Sequence, residues 1–129
     1  MILGIGTDIV NIGRIEKLIQ RFGERFLTRI FTQNEREAAS LKSIQKTAYL
    51  AKRFAAKEAF SKALGTGFRH GLRFQQIEVV NDKNGKPMIQ LYDYAKKILD
   101  QKTDHYEIHL SLSDDIPYAQ AFVVIESHL

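Results

Sequence analysis

The chain has 129 residues, 44% of them hydrophobic and 26% charged, with a formal net charge of +4. These values describe a folded domain spanning residues 1–129 rather than a disordered or fibrous chain. Cysteine is absent, which excludes disulfides, thiolate metal sites and cysteine nucleophiles; no apolar run approaches the ~20 residues that span a bilayer.

The first residues, Met1-Ile2-Leu3-Gly4, lack the basic segment of a signal peptide. A cytoplasmic location with no membrane association is therefore expected. The excess of positive charge favours an acidic partner, whether nucleic acid, a phosphorylated metabolite or an acidic protein.

Ile2 to Val10 reads as a strand whose glycines permit close backbone approach. Alternation puts Ile5, Thr7 and Ile9 on one face and Gly4, Gly6, Asp8 and Val10 on the other, so Asp8 is an acid on the side bared by glycine. A helical stripe of Ile15, Leu18, Ile19, Phe22 and Phe26 follows, with Gly23 as a possible break. On a continuous helix, Arg14, Lys17, Arg21 and Arg25 form one basic stripe beside it. That stripe has no interleaved aromatics for base stacking, and an acidic helical protein suits it better than nucleic acid.

Thr32-Gln33-Asn34-Glu35 matches a capping box and predicts a short helix. A long helix from about Ser43 to Leu64 is stopped by Gly65-Thr66-Gly67 and carries a second apolar face, which predicts a central, buried position. Two strands flank Asn84-Gly85, a hairpin signal, and Tyr92 to Lys102 reads as an amphipathic helix. Strands over Tyr106 to Ser113 and Tyr118 to Ile125 close the chain. The expected architecture is α+β, an antiparallel sheet packed against one long central helix plus shorter helices.

Glu58 and Lys62 lie one turn apart on the long helix, on the face that also carries Ala51, Ala55 and Ala59. Asp8 and Glu58 are thus acids on two elements expected to be largely buried, and each needs a cation. Two arrangements meet that need. One is a pair of salt bridges, Glu58 with Lys62 and Asp8 with an arginine. The other is a Mg²⁺ site, since magnesium is commonly held by one or two carboxylates together with substrate phosphate oxygens. A phosphate ligand would find Lys62 close by, whereas Gly65-Thr66-Gly67 stands at a helix C-terminus, whose dipole disfavours anions. His109, Ser111 and Ser113 share one strand face and can form a polar wall. No nucleophile elbow or HExxH sequence is present.

Gly4-Ile5-Gly6-Thr7-Asp8-Ile9-Val10, the run from Arg53 to Gly65 with its Lys57-Glu58-Ala59 and Lys62, Arg29-Ile30-Phe31-Thr32, and His109 to Ser113 with Tyr118-Ala119 together resemble the phosphopantetheinyl transferases. The likeness runs nearly end to end and is to the short class that modifies acyl carrier protein. It implies transfer of the phosphopantetheine arm of coenzyme A to a serine of apo acyl carrier protein, with release of adenosine 3′,5′-bisphosphate, in fatty acid biosynthesis. It implies Mg²⁺ held by Asp8 and Glu58, a phosphate contact from Lys62, coenzyme A contacts from Gly65, Thr66, His109, Ser111 and Ser113, and carrier docking on Arg14, Lys17, Arg21 and Arg25. Homotrimers with active sites between subunits belong to the same implication. Asp114 stands where many members carry histidine. For the proton of the attacking serine, Glu58 and Glu35 are both candidates. Two other readings use the same residues: a basic non-catalytic module that binds an acidic protein or nucleic acid, and a Mg²⁺-dependent phosphohydrolase.

Overall fold

The strand that opens the chain, β1 (Ile2–Asn11), lies against a long helix, α4 (Lys46–Leu64), with no side chain between them at two points. A Cβ built on Gly6 would land on the Ala59 carbonyl oxygen, and one on Gly4 would land on that of Ala63. The glycines thus let strand and helix backbones meet, and Ala59 and Ala63 keep the helix side of the seam low. Any larger residue at Gly6 must push β1 off α4. A computed structural model describes residues 1–128 and gives these placements.

The remaining elements are α1 (Ile12–Phe22), α2 (Glu24–Ile30), α3 (Gln33–Ser40), β2 (Ile77–Asn81), β3 (Pro87–Leu91), α5 (Asp93–Lys102), β4 (Tyr106–Asp115) and β5 (Tyr118–Ser127). They form a three-stranded antiparallel sheet in the order β1-β5-β4 and a separate β2-β3 hairpin. The expected α+β architecture holds, with the antiparallel pairing divided between these two units.

Local chemistry accounts for the boundaries. The Thr32 hydroxyl accepts from the Glu35 N–H while Glu35 accepts from the Thr32 N–H, so the capping box forms as expected. Gly65, at φ 83°, ends α4 in the left-handed conformation that glycine adopts without a Cβ clash. Gly23, at φ 56°, separates α1 from α2. The continuous basic stripe is therefore broken: Arg14, Lys17 and Arg21 stand on α1, while Arg25 stands on α2.

Helix α4 is enclosed on almost every side, by β1 and β5 on one flank and by α1, α3 and β2 on others. Alanine at residues 51, 55, 56, 59 and 63 gives it both helix propensity and a thin profile. The inner face of the three-stranded sheet supplies Val10, Ala119, Ala121, Val123 and Ile125 to this core. The outer face has no covering element: Ile5 is 62% exposed, Ile9 61% and Phe122 45%. Among the described residues no helix is long and apolar enough to cross a membrane.

Candidate active site

The inner face of β1 delivers Asp8 to the flank of α4, one residue pair beyond the glycine seam. There Lys62 donates to the Asp8 carboxylate at 3.2 Å and to the Thr7 carbonyl oxygen at 3.0 Å. The lysine reaches across to the strand rather than back along its own helix, and Glu58 is left with no ion-pair partner among the described residues. Of the two salt bridges that the spacing allows, neither forms as written. Burial pushes the Glu58 carboxyl above the usual carboxylate range, and the negative charge of Asp8 pushes it the same way; Lys62 and Arg14 oppose them without cancelling the shift.

Two carboxylates held together with one lysine leave a net negative centre, half-buried and one cation short. The donor set is all oxygen, which suits a hard divalent cation such as Mg²⁺. Lys62 has three ammonium protons and spends two on Thr7 and Asp8, so one remains for a further acceptor. Its side chain is 54% exposed, and that acceptor can arrive from solvent.

Other residues singled out in the sequence are distributed unevenly around this centre. Gly65 caps α4 just past Lys62, and the Thr66 hydroxyl donates to the Gly67 carbonyl oxygen of its own loop. Arg14 is close enough for its charge to act on Glu58. His109, Ser111 and Ser113 do share one face of β4, but it is the exposed outer face, opposite the side that meets α4. Within one chain they do not join Asp8 and Glu58.

Glu35 is also removed from the centre. It is 1% exposed, and its carboxylate accepts from Lys57 at 2.7 Å, from the Thr32 N–H and from the Val79 N–H. With its oxygens taken up in this way, Glu35 is not free to receive a proton from a substrate hydroxyl. The expectation of a catalytic Glu35 gives way to a structural one.

Lys57 and Arg53 are the polar residues whose roles the sequence did not disclose. Lys57 is fully enclosed, donates to Glu35 and to the Phe74 carbonyl oxygen, and fixes α4 against α3 and the turn before β2. Burial pulls its ammonium below the usual lysine range, and Glu35 opposes that pull. Arg53 stacks on Tyr49 with its guanidinium carbon 3.5 Å from the ring centre, and donates to Asn81. Its Nε is buried with no partner among the described residues. Tyr49, Arg53, Asn81, Lys42, Lys52 and Asp114 line a cavity of about 750 Å³ between the start of α4 and the two hairpin turns. The available signal was polarity itself, because a charged residue inside an all-buried helix must meet a partner.

Residues 4–121 match the family described as the 4′-phosphopantetheinyl transferase superfamily. The chain belongs to that superfamily. Among phosphopantetheinyl transferases it is 51% identical to a holo-[acyl-carrier-protein] synthase of Zymomonas mobilis, over 98% of each chain. The crystal structure of a holo-[acyl-carrier-protein] synthase from Neisseria meningitidis superposes with a TM-score of 0.87 at 42% identity, covering 98% of this chain and 100% of that one. One from Bacillus anthracis, in complex with CoA (3′,5′-ADP), superposes at 0.82 with 43% identity and 99% coverage of both chains. A phosphopantetheinyl transferase is an enzyme.

Proposed function

We propose that this chain transfers 4′-phosphopantetheine from coenzyme A to a serine of apo acyl carrier protein, using Mg²⁺ held by Asp8 and Glu58. The observation that carries this reading is the unpaired Glu58 beside the Asp8–Lys62 bridge. When bound, Mg²⁺ would supply positive charge to neutralise the coenzyme A diphosphate. The free ammonium proton of Lys62 would hold a phosphoryl oxygen and offset the charge that develops there. The serine oxygen would attack the phosphorus bearing the pantetheine arm; its bond to the departing adenosine 3′,5′-bisphosphate would break in line. Glu58 is the carboxylate left to take the serine proton, because Glu35 is buried and occupied by Lys57 and the Val79 N–H.

The cavity beside Arg53 supports the nucleotide end of this reading. Lys42, Lys52 and Arg53 line it together with one acid, Asp114, which pairs with Lys52 at 3.3 Å, so the lining keeps a net positive charge for an anionic ligand. Lys52 and Arg53 stand roughly 120–140° around α4 from Glu58, at about 100° per residue. Cavity and acids thus face different ways, which supports a coenzyme A site shared between neighbouring copies. The exposed Ile5, Ile9 and Phe122 offer an apolar sheet face for such copies to cover. A homotrimer is expected by light scattering at assay concentration, and a monomer would refute the shared site.

Carrier docking falls to Arg14, Lys17 and Arg21 on α1 and Arg25 on α2. Beside them Leu18, Phe22 and Phe26 line an apolar groove, so the surface fits an acidic amphipathic helix. Arg14 also acts on Glu58, which makes Arg21 the cleaner test. Arg21→Glu should raise KM for the carrier roughly tenfold with kcat little changed, an effect that shrinks with added salt. Unchanged KM across a salt series would refute docking here.

Incubation with coenzyme A, Mg²⁺ and an apo carrier tests the reaction itself. The expected result is a carrier heavier by one phosphopantetheine. Breakdown of coenzyme A without that gain would favour a phosphohydrolase, and no reaction would favour a binding module.

A further inference from the structure

At the end of the sheet away from the β4–β5 turn, Glu107, Glu126 and His128 converge, and none of them has a part in the proposed transfer reaction. Glu107 on β4 is paired directly opposite Glu126 on β5. His109 lies two residues along from Glu107 and faces Val124, while His128 lies two residues along from Glu126 in the opposite direction, beside His105, so the imidazoles reach the glutamate pair from its two ends. Like charges directly opposed across a strand pair are destabilising unless something lies between or beside them. Here the imidazoles supply part of the answer. His109 Nε2 is 2.9 Å from Glu126 Oε1 and His109 Nδ1 is 3.9 Å from Glu107 Oε1; His128 Nε2 is 3.2 Å from Glu107 Oε2.

Single His–Glu contacts of this kind are ordinary on sheet surfaces. Three donors gathered this closely are less so. One ligand atom each from Glu107, Glu126 and His128 falls within a common span of 4.8 Å. Tetrahedral metal sites with nitrogen and oxygen bonds of ~2.0–2.2 Å set neighbouring ligand atoms about 3.3–3.6 Å apart, close to the separations already present.

We infer that Glu107, Glu126 and His128 form a second cation site, for a transition metal of the Zn²⁺ class rather than for Mg²⁺. One imidazole and two carboxylates are a three-ligand set that zinc accepts with its fourth position open, whereas magnesium prefers an octahedron of oxygens. The cation would sit between the opposed glutamates and balance their charge. It would also tie the end of β5 to β4, beside the start of β1, where Ile2 pairs with Glu126. This site is separate from the Asp8–Glu58 centre, which faces the other side of the sheet.

Calorimetric titration of the whole protein with ZnCl₂, in excess MgCl₂, tests it. The expected result is one Zn²⁺ per chain, retained in Glu58→Gln, with affinity reduced at least about tenfold in both His128→Gln and Glu107→Gln. Both variants should keep the wild-type circular dichroism spectrum and phosphopantetheine transfer. Zn²⁺ binding that is absent, that Mg²⁺ displaces, that survives undiminished in the two variants, or that is lost in Glu58→Gln would overturn the proposal. The last outcome would assign the ion to the transfer site, so failure here is distinguishable from failure of the proposed reaction.

Discussion

Glu58→Gln should lower phosphopantetheine transfer by about 10²–10⁴-fold, the range for losing a proton acceptor or an electrostatic stabiliser of the transition state. It should do so without unfolding the protein. The folded state holds the Glu58 carboxyl above its ordinary value, by burial first and by Asp8 second, so it favours the neutral form. Ionisation of Glu58 therefore subtracts from metal-free stability. The loss begins as pH rises past the ordinary carboxylate value of ~4.3 and is complete above the raised folded value. Glutamine removes that loss, and at neutral pH the variant should be as stable as the parent or more so, by at most about 1 kcal/mol after solvent screening. Turnover and urea denaturation measured side by side check both halves. Wild-type turnover in the variant would remove Glu58 from the chemistry.

Lys57→Met should act in the opposite sense, on the fold before the chemistry. It leaves the Glu35 carboxylate buried with two backbone N–H donors and no cation. Removing one member of a buried pair costs about 3–5 kcal/mol, against a total stability for such a domain of roughly 5–15 kcal/mol. A large drop in urea midpoint is expected. Adding Glu35→Gln should recover at least about 1 kcal/mol relative to the sum of the single changes, because the uncompensated charge is gone. Strict additivity, or a single-variant loss below about 1 kcal/mol, would show that the pair does not hold α4 in place.

These two neighbours on α4 mark where the sequence could be read and where it could not. Glu58, Lys62 and Asp8 were legible as polar residues on surfaces otherwise bare or apolar. Their pairing was not, because a spacing of four says which residues share a helix face and nothing about a strand from another part of the fold. Glu35 was legible as a cap, since that bond spans three residues. Its buried partners stand 22 and 44 residues away, and no local pattern encodes them. Gly4 and Gly6 signalled a close approach without naming α4 as the element that approaches. The β4 alternation correctly grouped His109, Ser111 and Ser113. Which face of the sheet meets α4 is set by packing of β1 and β5, and that set the three outward. The Gly23 break was legible as well, and its consequence for Arg25 follows from one backbone angle.

The strand order β1-β5-β4 has a bearing on how the protein is made. The middle strand of the sheet is the last of the five to leave the ribosome. Until it arrives, β1 and β4 have no partner in that sheet, and α4 lacks one wall of its core. Asp8 and Lys62 thus meet on a scaffold that is complete only once β5 has been made. A nascent chain still tethered short of Tyr118 would carry every acid of the transfer centre and yet hold none of them in register.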